Sequence, residues 1–431
     1  MKVAPSRGQP LSTGPTAKAP NPDAFKRLRE TRTLLKAWQV INRNAETSGS
    51  RTTRQRAREF GQNLPANLRK IQTDLREGYS FEAPYGATPD KGPGKAGKRP
   101  IVVAPIRDRI VQRAILDILQ TKSLFPKVSD VLNTPTSIGG IPGRGVDHAI
   151  RLFSQAVEDG ATYVMGSDIG SFFTKIDQTE VTAFLRKAGV GGDLLGLVSD
   201  ALRVELRNSK DLSEEDRALF PTGTDGVAQG SPLSALAGNI VLHDFDQRMN
   251  ERGIICIRYI DDFLLCGARK DAVKKAMLSA KAILSEKGMT IYDACEAPNK
   301  AFAGSANSGQ VFLGYKLIPG EFPPSDASCE KLMENIQAEL ASGRATIGKV
   351  LSGRTLNGGE RAFVQTLAQV DRIIRGWRES HKMSDCPEVY SLLDKDIDHR
   401  INAFMRFYRE KAKGRRSSLV RMAMGVSPLV R

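Results

Sequence analysis

Cys256-Ile257-Arg258-Tyr259-Ile260-Asp261-Asp262-Phe263-Leu264-Leu265 sets two apolar runs on either side of a pair of adjacent carboxylates. Ile254, Ile255, Ile257 and Ile260 precede the pair and Phe263, Leu264 and Leu265 follow it, a pattern that predicts a buried hairpin. Strand side chains alternate between faces, so two neighbouring aspartates cannot both enter a core; they must sit at the turn. An ionised carboxylate buried without a partner is costly, and two side by side repel. A positive charge is therefore expected against them, and a divalent metal ion is the simplest candidate. An isolated Asp-Asp pair is more often a plain surface turn between two core strands. What tips the balance is a third carboxylate upstream.

Tyr163-Val164-Met165-Gly166-Ser167-Asp168-Ile169-Gly170-Ser171-Phe172-Phe173 reads as an apolar strand that ends in an aspartate and opens into a Gly/Ser turn and an aromatic pair. If it lies beside the hairpin, Asp168, Asp261 and Asp262 converge at one edge and can hold two Mg²⁺ ions, which clamp the attacking and leaving oxygens of an in-line phosphoryl transfer. These two stretches resemble the first and third palm motifs of reverse transcriptases, the latter being that family's Tyr-x-Asp-Asp box. Val227-Ala228-Gln229-Gly230-Ser231-Pro232-Leu233-Ser234-Ala235-Leu236-Ala237-Gly238-Asn239-Ile240, lying between them, resembles the second. The copy departs from type in two places: Ala228 stands where a proline is usual before Gln229, and Ala235 where one is usual after Ser234.

Composition points the same way. The 431 residues suffice for two or three packed units, and 40% hydrophobic content allows a core. A formal net charge of +16 favours a polyanionic partner, nucleic acid first and a membrane surface second. No apolar run is long enough to span a bilayer and Met1 opens no signal-peptide pattern, so a cytoplasmic protein is expected. Cys256, Cys266, Cys295, Cys329 and Cys386 stand singly, which supports neither a disulfide framework nor a zinc module.

Residues 1–23 are rich in Pro, Gly, Ser, Thr and Ala and are expected to form a flexible arm. From Ala24, Phe25, Leu28, Leu34, Leu35, Trp38 and Ile41 recur at helical spacing among basic residues and predict one amphipathic helix, either plainly solvated or lying on RNA. A second basic stretch over residues 52–77 is expected to be broken by Pro65. A glycine-rich loop then carries Lys91, Lys95, Lys98 and Arg99, followed by the strand Ile101-Val102-Val103-Ala104 and a helix from Pro105. Arg99 to Gln112 is similar to the fingers of group II intron-type reverse transcriptases. Ser137 to Arg144 resembles a further segment of that subgroup, with Gly140-Ile141 where Phe-Arg is common.

The resemblance implies an α+β right-hand polymerase fold, with fingers, a palm of antiparallel sheet and packed helices, and an α-helical thumb. The expected segments are a flexible arm (1–23), an N-terminal extension with fingers (24–155), a palm (156–320), and a thumb with a basic tail (321–431). It places Asp168, Ile169, Asp261 and Asp262 at metal positions, for two Mg²⁺ ions with Mn²⁺ as the alternative. It places Lys98, Arg99, Arg107, Ile169, Phe173, Gln229 and Gly230 against the incoming nucleotide. Phe173 falls at the sugar gate, where an aromatic ring leaves no room for a 2′-hydroxyl; the other arrangement has Phe173 in the core and Phe172 on the nucleotide. Lys300 corresponds to a lysine that protonates the leaving pyrophosphate, or is a surface lysine. Phe312-Leu313-Gly314-Tyr315 looks like the primer grip.

Arg372, Arg375, Arg378 and Arg406 in the expected thumb, and the basic run from Arg409 to Arg416, suit phosphate contacts along a duplex. The implied partners are an RNA template, in particular a structured non-coding RNA, the cDNA product and deoxynucleoside triphosphates. The implied activity is RNA-directed DNA synthesis. Neither a ribonuclease H-like extension nor a Cys/His endonuclease cluster is apparent, and a stand-alone enzyme of bacterial anti-phage defence is expected. The alternatives are an intron-encoded protein without its endonuclease, a retron enzyme, whose fingers and thumb signatures are not evident, and a maturase-like RNA-binding protein with a vestigial site.

Overall fold

A computed structural model of the chain describes residues 22–91, 97–250, 253–354 and 359–427. Lys95 and nearly all of the 1–23 arm lie outside the described residues. The chain forms two compact units that interleave along the sequence, one of Met1–Thr134 with Ser171–His243 and one of Pro135–Gly170 with Asp244–Arg431.

The first unit opens with helices α1 (Pro22–Leu28), α2 (Thr31–Glu46), α3 (Arg51–Gln62) and α4 (Leu64–Glu77). Strands β1 (Tyr85–Ala87) and β2 (Ile101–Val103) and helices α5 (Ile106–Leu119) and α6 (Pro126–Leu132) follow. The second unit then begins with α7 (Val146–Glu158) and β3 (Tyr163–Gly170). The chain returns to the first for a 3-10 turn at Phe172–Lys175 and helices α8 (Gln178–Lys187), α9 (Gly192–Leu202), α10 (Glu214–Arg217) and α11 (Ser234–Val241). Helix α12 (His243–Asn250) leads into the second unit's β4 (Ile255–Tyr259), β5 (Asp262–Gly267), α13 (Lys270–Glu286), β6 (Thr290–Ile291), β7 (Ala301–Ser305), β8 (Val311–Phe312) and β9 (Tyr315–Lys316). Four helices close it: α14 (Asp326–Leu351), α15 (Phe363–Ser380), α16 (Pro387–Ala412) and α17 (Ser417–Met424).

The single helix expected from Ala24 is two. Glu30 takes extended backbone (ψ 137°) as the N-cap of α2, and the buried face shifts across it: Leu28 and Leu34 are buried, whereas Leu35, in helical phase with Leu28, is exposed. Between α3 and α4 the chain turns at Asn63. Pro65 sits in the first turn of α4, where its missing N–H leaves no hydrogen bond unmade.

In the second unit β3 is the centre of an antiparallel sheet. It pairs with β5 on one edge, and on the other with β7 over Tyr163–Ser167 and with β6 over Ile169–Gly170; β4 completes the sheet beyond β5. Val164, Ile257, Leu264 and Cys266 share one core with Ala149, Ile150 and Phe153 of α7. The Phe302 ring lies over Gly166 across the β3–β7 pair, so close that a Cβ there would lie 2.4 Å from it and the ring would have to move.

Helices α14 to α17 enclose a separate core of Leu332, Ile336, Leu340, Ile347, Val370, Phe404 and Tyr408. The Phe363 ring stacks on Phe404 with centroids 5.2 Å apart. The basic run from Arg409 is not a loose tail: it forms the end of α16 and the turn into α17, whose Ala423 is buried. Among the described residues no helix is long and apolar enough to cross a membrane.

Candidate active site

Antiparallel register brings the carboxylates together. Asp168 on β3 stands directly opposite Asp262, the first residue of β5, and Asp261 occupies the two-residue turn between β4 and β5 with Ile260. Two main-chain bonds fix the geometry: the Ile169 N–H donates to the Asp261 carbonyl at 2.9 Å, and the Asp168 N–H donates to the Lys300 carbonyl at 3.0 Å. One carboxylate oxygen from each of Asp168, Asp261 and Asp262 lies within 4.8 Å of the other two.

Like charges directly across a strand pair destabilise the sheet. Burial pushes the Asp261 carboxyl above the ordinary aspartate range, opposed by its own main-chain hydrogen bond and by the Arg258 charge. The Lys300 ammonium lies against the Asp168 carboxylate and over the Tyr292 ring, 5.6 Å from its centroid, and offsets one of the three charges. Three half-buried carboxylates offering only oxygen are a donor set for a hard divalent cation, whose charge would remove the repulsion that the fold otherwise bears. Ile169 has its side chain buried, so it can contribute to such a site only through its main chain.

The turn itself is strained and braced. Ile260 has φ +60°, a true outlier for a β-branched residue that costs on the order of 1–3 kcal/mol. Beneath it lies Arg258, 1% exposed, an ion inside an otherwise apolar strand. Its Nε and Nη2 donate to the two carboxylate oxygens of the equally buried Asp246 at 2.7 and 2.6 Å, Nη2 also to Ser137 Oγ at 2.8 Å, and Nη1 to the Ile260 carbonyl at 2.9 Å. Residues 136–138 run along β4, where Arg258 N–H donates to the Thr136 carbonyl and Ile138 N–H to the Arg258 carbonyl. Sequence reasoning missed this network; a lone arginine between Ile257 and Tyr259 was its only signal.

Gly139 closes the turn from the same side. A Cβ there would lie 2.5 Å from the Ile260 nitrogen, a backbone atom that cannot step aside. Gly139→Ala is therefore expected to destabilise the protein by about 1–3 kcal/mol in urea unfolding and to weaken Mn²⁺ binding at the three carboxylates. A variant matching wild type in both would show that this close approach does not exist.

In the second unit, Phe312 and Tyr315 face each other across the β8–β9 hairpin, whose turn residues Leu313 and Gly314 both have positive φ, as two-residue hairpins require. The Tyr315 hydroxyl donates to the Ser380 carbonyl at the end of α15 at 2.8 Å, and its ring packs on His381. The Gly314 carbonyl accepts from Ser325 N–H, the N-cap of α14. On α15, Arg375 pairs with Asp371, and Arg378 lies over the Tyr390 ring.

In the first unit, exposed Lys98 pairs with Asp216 at 2.8 Å and Arg99 is exposed. Arg107 is engaged within the protein: Nη2 meets Asp74 at 2.9 Å, Nε donates to the Tyr79 hydroxyl at 3.2 Å, and the guanidinium stacks on the Tyr79 ring. The Gln229 carbonyl accepts from Val102 N–H at 2.9 Å, and Gly230 follows with φ +110°. Phe172 is buried against Gly238, where a Cβ would lie 2.7 Å from its ring, whereas Phe173 stays half-buried.

A palm-type antiparallel sheet that gathers three aspartates from two strands at a strained hairpin defines a class, that of the polymerases built on a right-hand fold. The sequence profile of the family "Reverse transcriptase (RNA-dependent DNA polymerase)" matches residues 88–317, just over half of the chain. The protein belongs to the reverse transcriptase family.

Among curated proteins it is similar to Protein YkfC of Escherichia coli (strain K12), 28% identical over 267 residues that span 52% of this chain and 65% of that protein. It is also similar to the uncharacterized 91 kDa protein in cob intron of Schizosaccharomyces pombe, 28% identical over 177 residues, 41% of this chain and 20% of that one. The chain thus spans less than two thirds of either relative. Among solved structures, a partial Cas6-RT-Cas1–Cas2 complex aligns with 61% of this chain and 42% of its own at 19% identity and a TM-score of 0.35. Apo telomerase from Candida Tropicalis, truncated from its C-terminal domain, aligns with 61% and 60% at 11% identity and a TM-score of 0.36.

Proposed function

We propose that the protein is an RNA-directed DNA polymerase that makes cDNA from deoxynucleoside triphosphates on an RNA template. The observation that carries this is the convergence of Asp168, Asp261 and Asp262 to within 4.8 Å on the sheet of a reverse transcriptase family member. These three carboxylates, with the Ile169 main chain, would hold two Mg²⁺ ions, Mn²⁺ being the alternative. When bound, such ions supply Lewis-acid activation of the primer 3′-hydroxyl and offset charge on the leaving pyrophosphate. To Lys300, which lies against Asp168, we assign the giving of a proton to that leaving group. Arg99, and Lys98 on exchanging Asp216, are the cations we assign to the triphosphate, with Gln229 and Gly230 presenting main chain to the nucleotide. Arg107 holds Asp74 and Tyr79 in place. The β8–β9 hairpin, through Phe312, Leu313, Gly314 and Tyr315, is assigned to the primer end.

Phe173, five residues after Asp168 in sequence and less buried than Phe172, is assigned as the sugar gate. Phe173→Ala is expected to raise ribonucleotide use relative to deoxynucleotide use by roughly tenfold or more, because a pocket that rejects a substituent by bulk alone loses its discrimination when the bulk is removed. Equal use of both nucleotides by wild type would remove this assignment.

We place the enzyme in the bacterial cytoplasm, copying a structured non-coding RNA in anti-phage defence; the departures at Ala228 and Ala235 in the second palm motif favour a specialised template. The second reading, an intron-encoded protein acting on its own intron RNA, is favoured by the likeness to a protein in cob intron. Sequencing the nucleic acids that co-purify with the protein separates them: a discrete non-coding RNA and its cDNA support the first, intron sequence the second.

A further inference from the structure

A buried ion pair is a poor way to stabilise a fold, since well-packed apolar residues of similar volume do as well or better. Arg258 and Asp246 are nonetheless both buried, directly beneath the turn that carries Asp261. The guanidinium ties three segments of the second unit to one point: Asp246 on α12, Ser137 beside β4, and the carbonyl of Ile260. That carbonyl belongs to the residue with left-handed φ, the one most inclined to relax. Relaxation there would rotate the peptide leading into Asp261, whose own carbonyl is held by Ile169.

We propose that the Arg258–Asp246 pair is a positioning device: it clamps Ile260 in its strained conformation, fixes the spacing of Asp261 from Asp168 and Asp262, and so sets the affinity of the cluster for divalent cations. The proposal rests on the polymerase reading of that cluster. Arginine is required because only its planar fork grips both Asp246 oxygens through Nε and Nη2 while the third nitrogen, Nη1, reaches the Ile260 carbonyl; a lysine offers one point charge.

The test titrates Mn²⁺ into the purified full-length protein without nucleic acid, following the free-ion signal by electron paramagnetic resonance, with Asp261→Asn as the control that removes a ligand. Two variants are compared with wild type. Arg258→Met with Asp246→Leu removes both charges and strands neither. Arg258→Lys keeps the charge and loses the fork. Both are expected to keep the wild-type unfolding midpoint to within a few degrees, to bind Mn²⁺ about tenfold more weakly, and to need correspondingly more Mg²⁺ for half-maximal primer extension, with the maximal rate largely recovered at saturating ion. Folded variants with wild-type Mn²⁺ affinity would overturn the proposal and leave the polymerase reading intact. Failure of both variants to fold would also overturn it, by making the pair a stability element. Wild type with no Asp261-dependent Mn²⁺ binding would end the polymerase reading and this one together.

Discussion

Protein carrying Asp261→Ala with Asp262→Ala will extend a primed RNA template at least about a thousandfold more slowly than wild type in Mg²⁺ with all four deoxynucleotides. Two of the three carboxylates that face one another across β3 and the β4–β5 turn are lost, and Asp168 alone, paired with Lys300, cannot seat a pair of divalent ions. The same change should leave the fold intact or slightly firmer. It relieves the cross-strand repulsion between Asp168 and Asp262 and the burial of the Asp261 charge, so thermal unfolding is expected at or above the wild-type midpoint. Activity and stability thus move in opposite directions. Primer extension persisting in the double variant would remove the site assigned here, and a loss of activity accompanied by unfolding would remove the electrostatic account of it.

Arg258→Ala will destabilise the protein by about 3–5 kcal/mol in chemical denaturation, the largest stability effect expected of any single substitution considered. Alanine leaves the Asp246 carboxylate, 1% exposed, without the guanidinium that neutralises it, and opens a cavity of arginine size under Ile260. The damage is asymmetric: removing one partner strands a buried charge, whereas replacing both by apolar residues does not. A loss below about 1 kcal/mol for Arg258→Ala would mean that water reaches Asp246 and that the network is not closed.

The parts of this molecule legible from residues alone were those in which chemistry and local pattern coincide. Asp261-Asp262 between apolar runs marks a hairpin turn because of strand alternation, and the helix over α13 follows from the spacing of Val273, Ala276, Ala280 and Ile283 and ends before Gly288, where φ is +66°. What stayed hidden depends on which strand meets which. The convergence of Asp168 with Asp261 and Asp262 was expected only on condition that the two strands meet, because the Asp168–Asp262 register is a cross-strand relation over 94 positions that no local pattern encodes. Arg258 and Asp246 pair from a strand and a helix on either side of a chain reversal, and each by itself resembles an ordinary surface charge. Gly139 looks like one more turn glycine until Ile260 is placed against it. The break between α1 and α2 was invisible for the opposite reason: Leu28 and Leu35 are in phase for a single helix in the sequence, yet the structure buries Leu34 and exposes Leu35.

The β8–β9 hairpin is fastened to the helical bundle at two successive residues on the C-terminal side of its turn, through Gly314 to Ser325 and through Tyr315 to Ser380, with His381 packed against the Tyr315 ring. Any displacement of α14 and α15 must therefore carry the hairpin along as one lever. On the proposed assignment of the hairpin to the primer end, a duplex that spread those helices would shift that end in the same stroke and couple product exit to the seating of the next end.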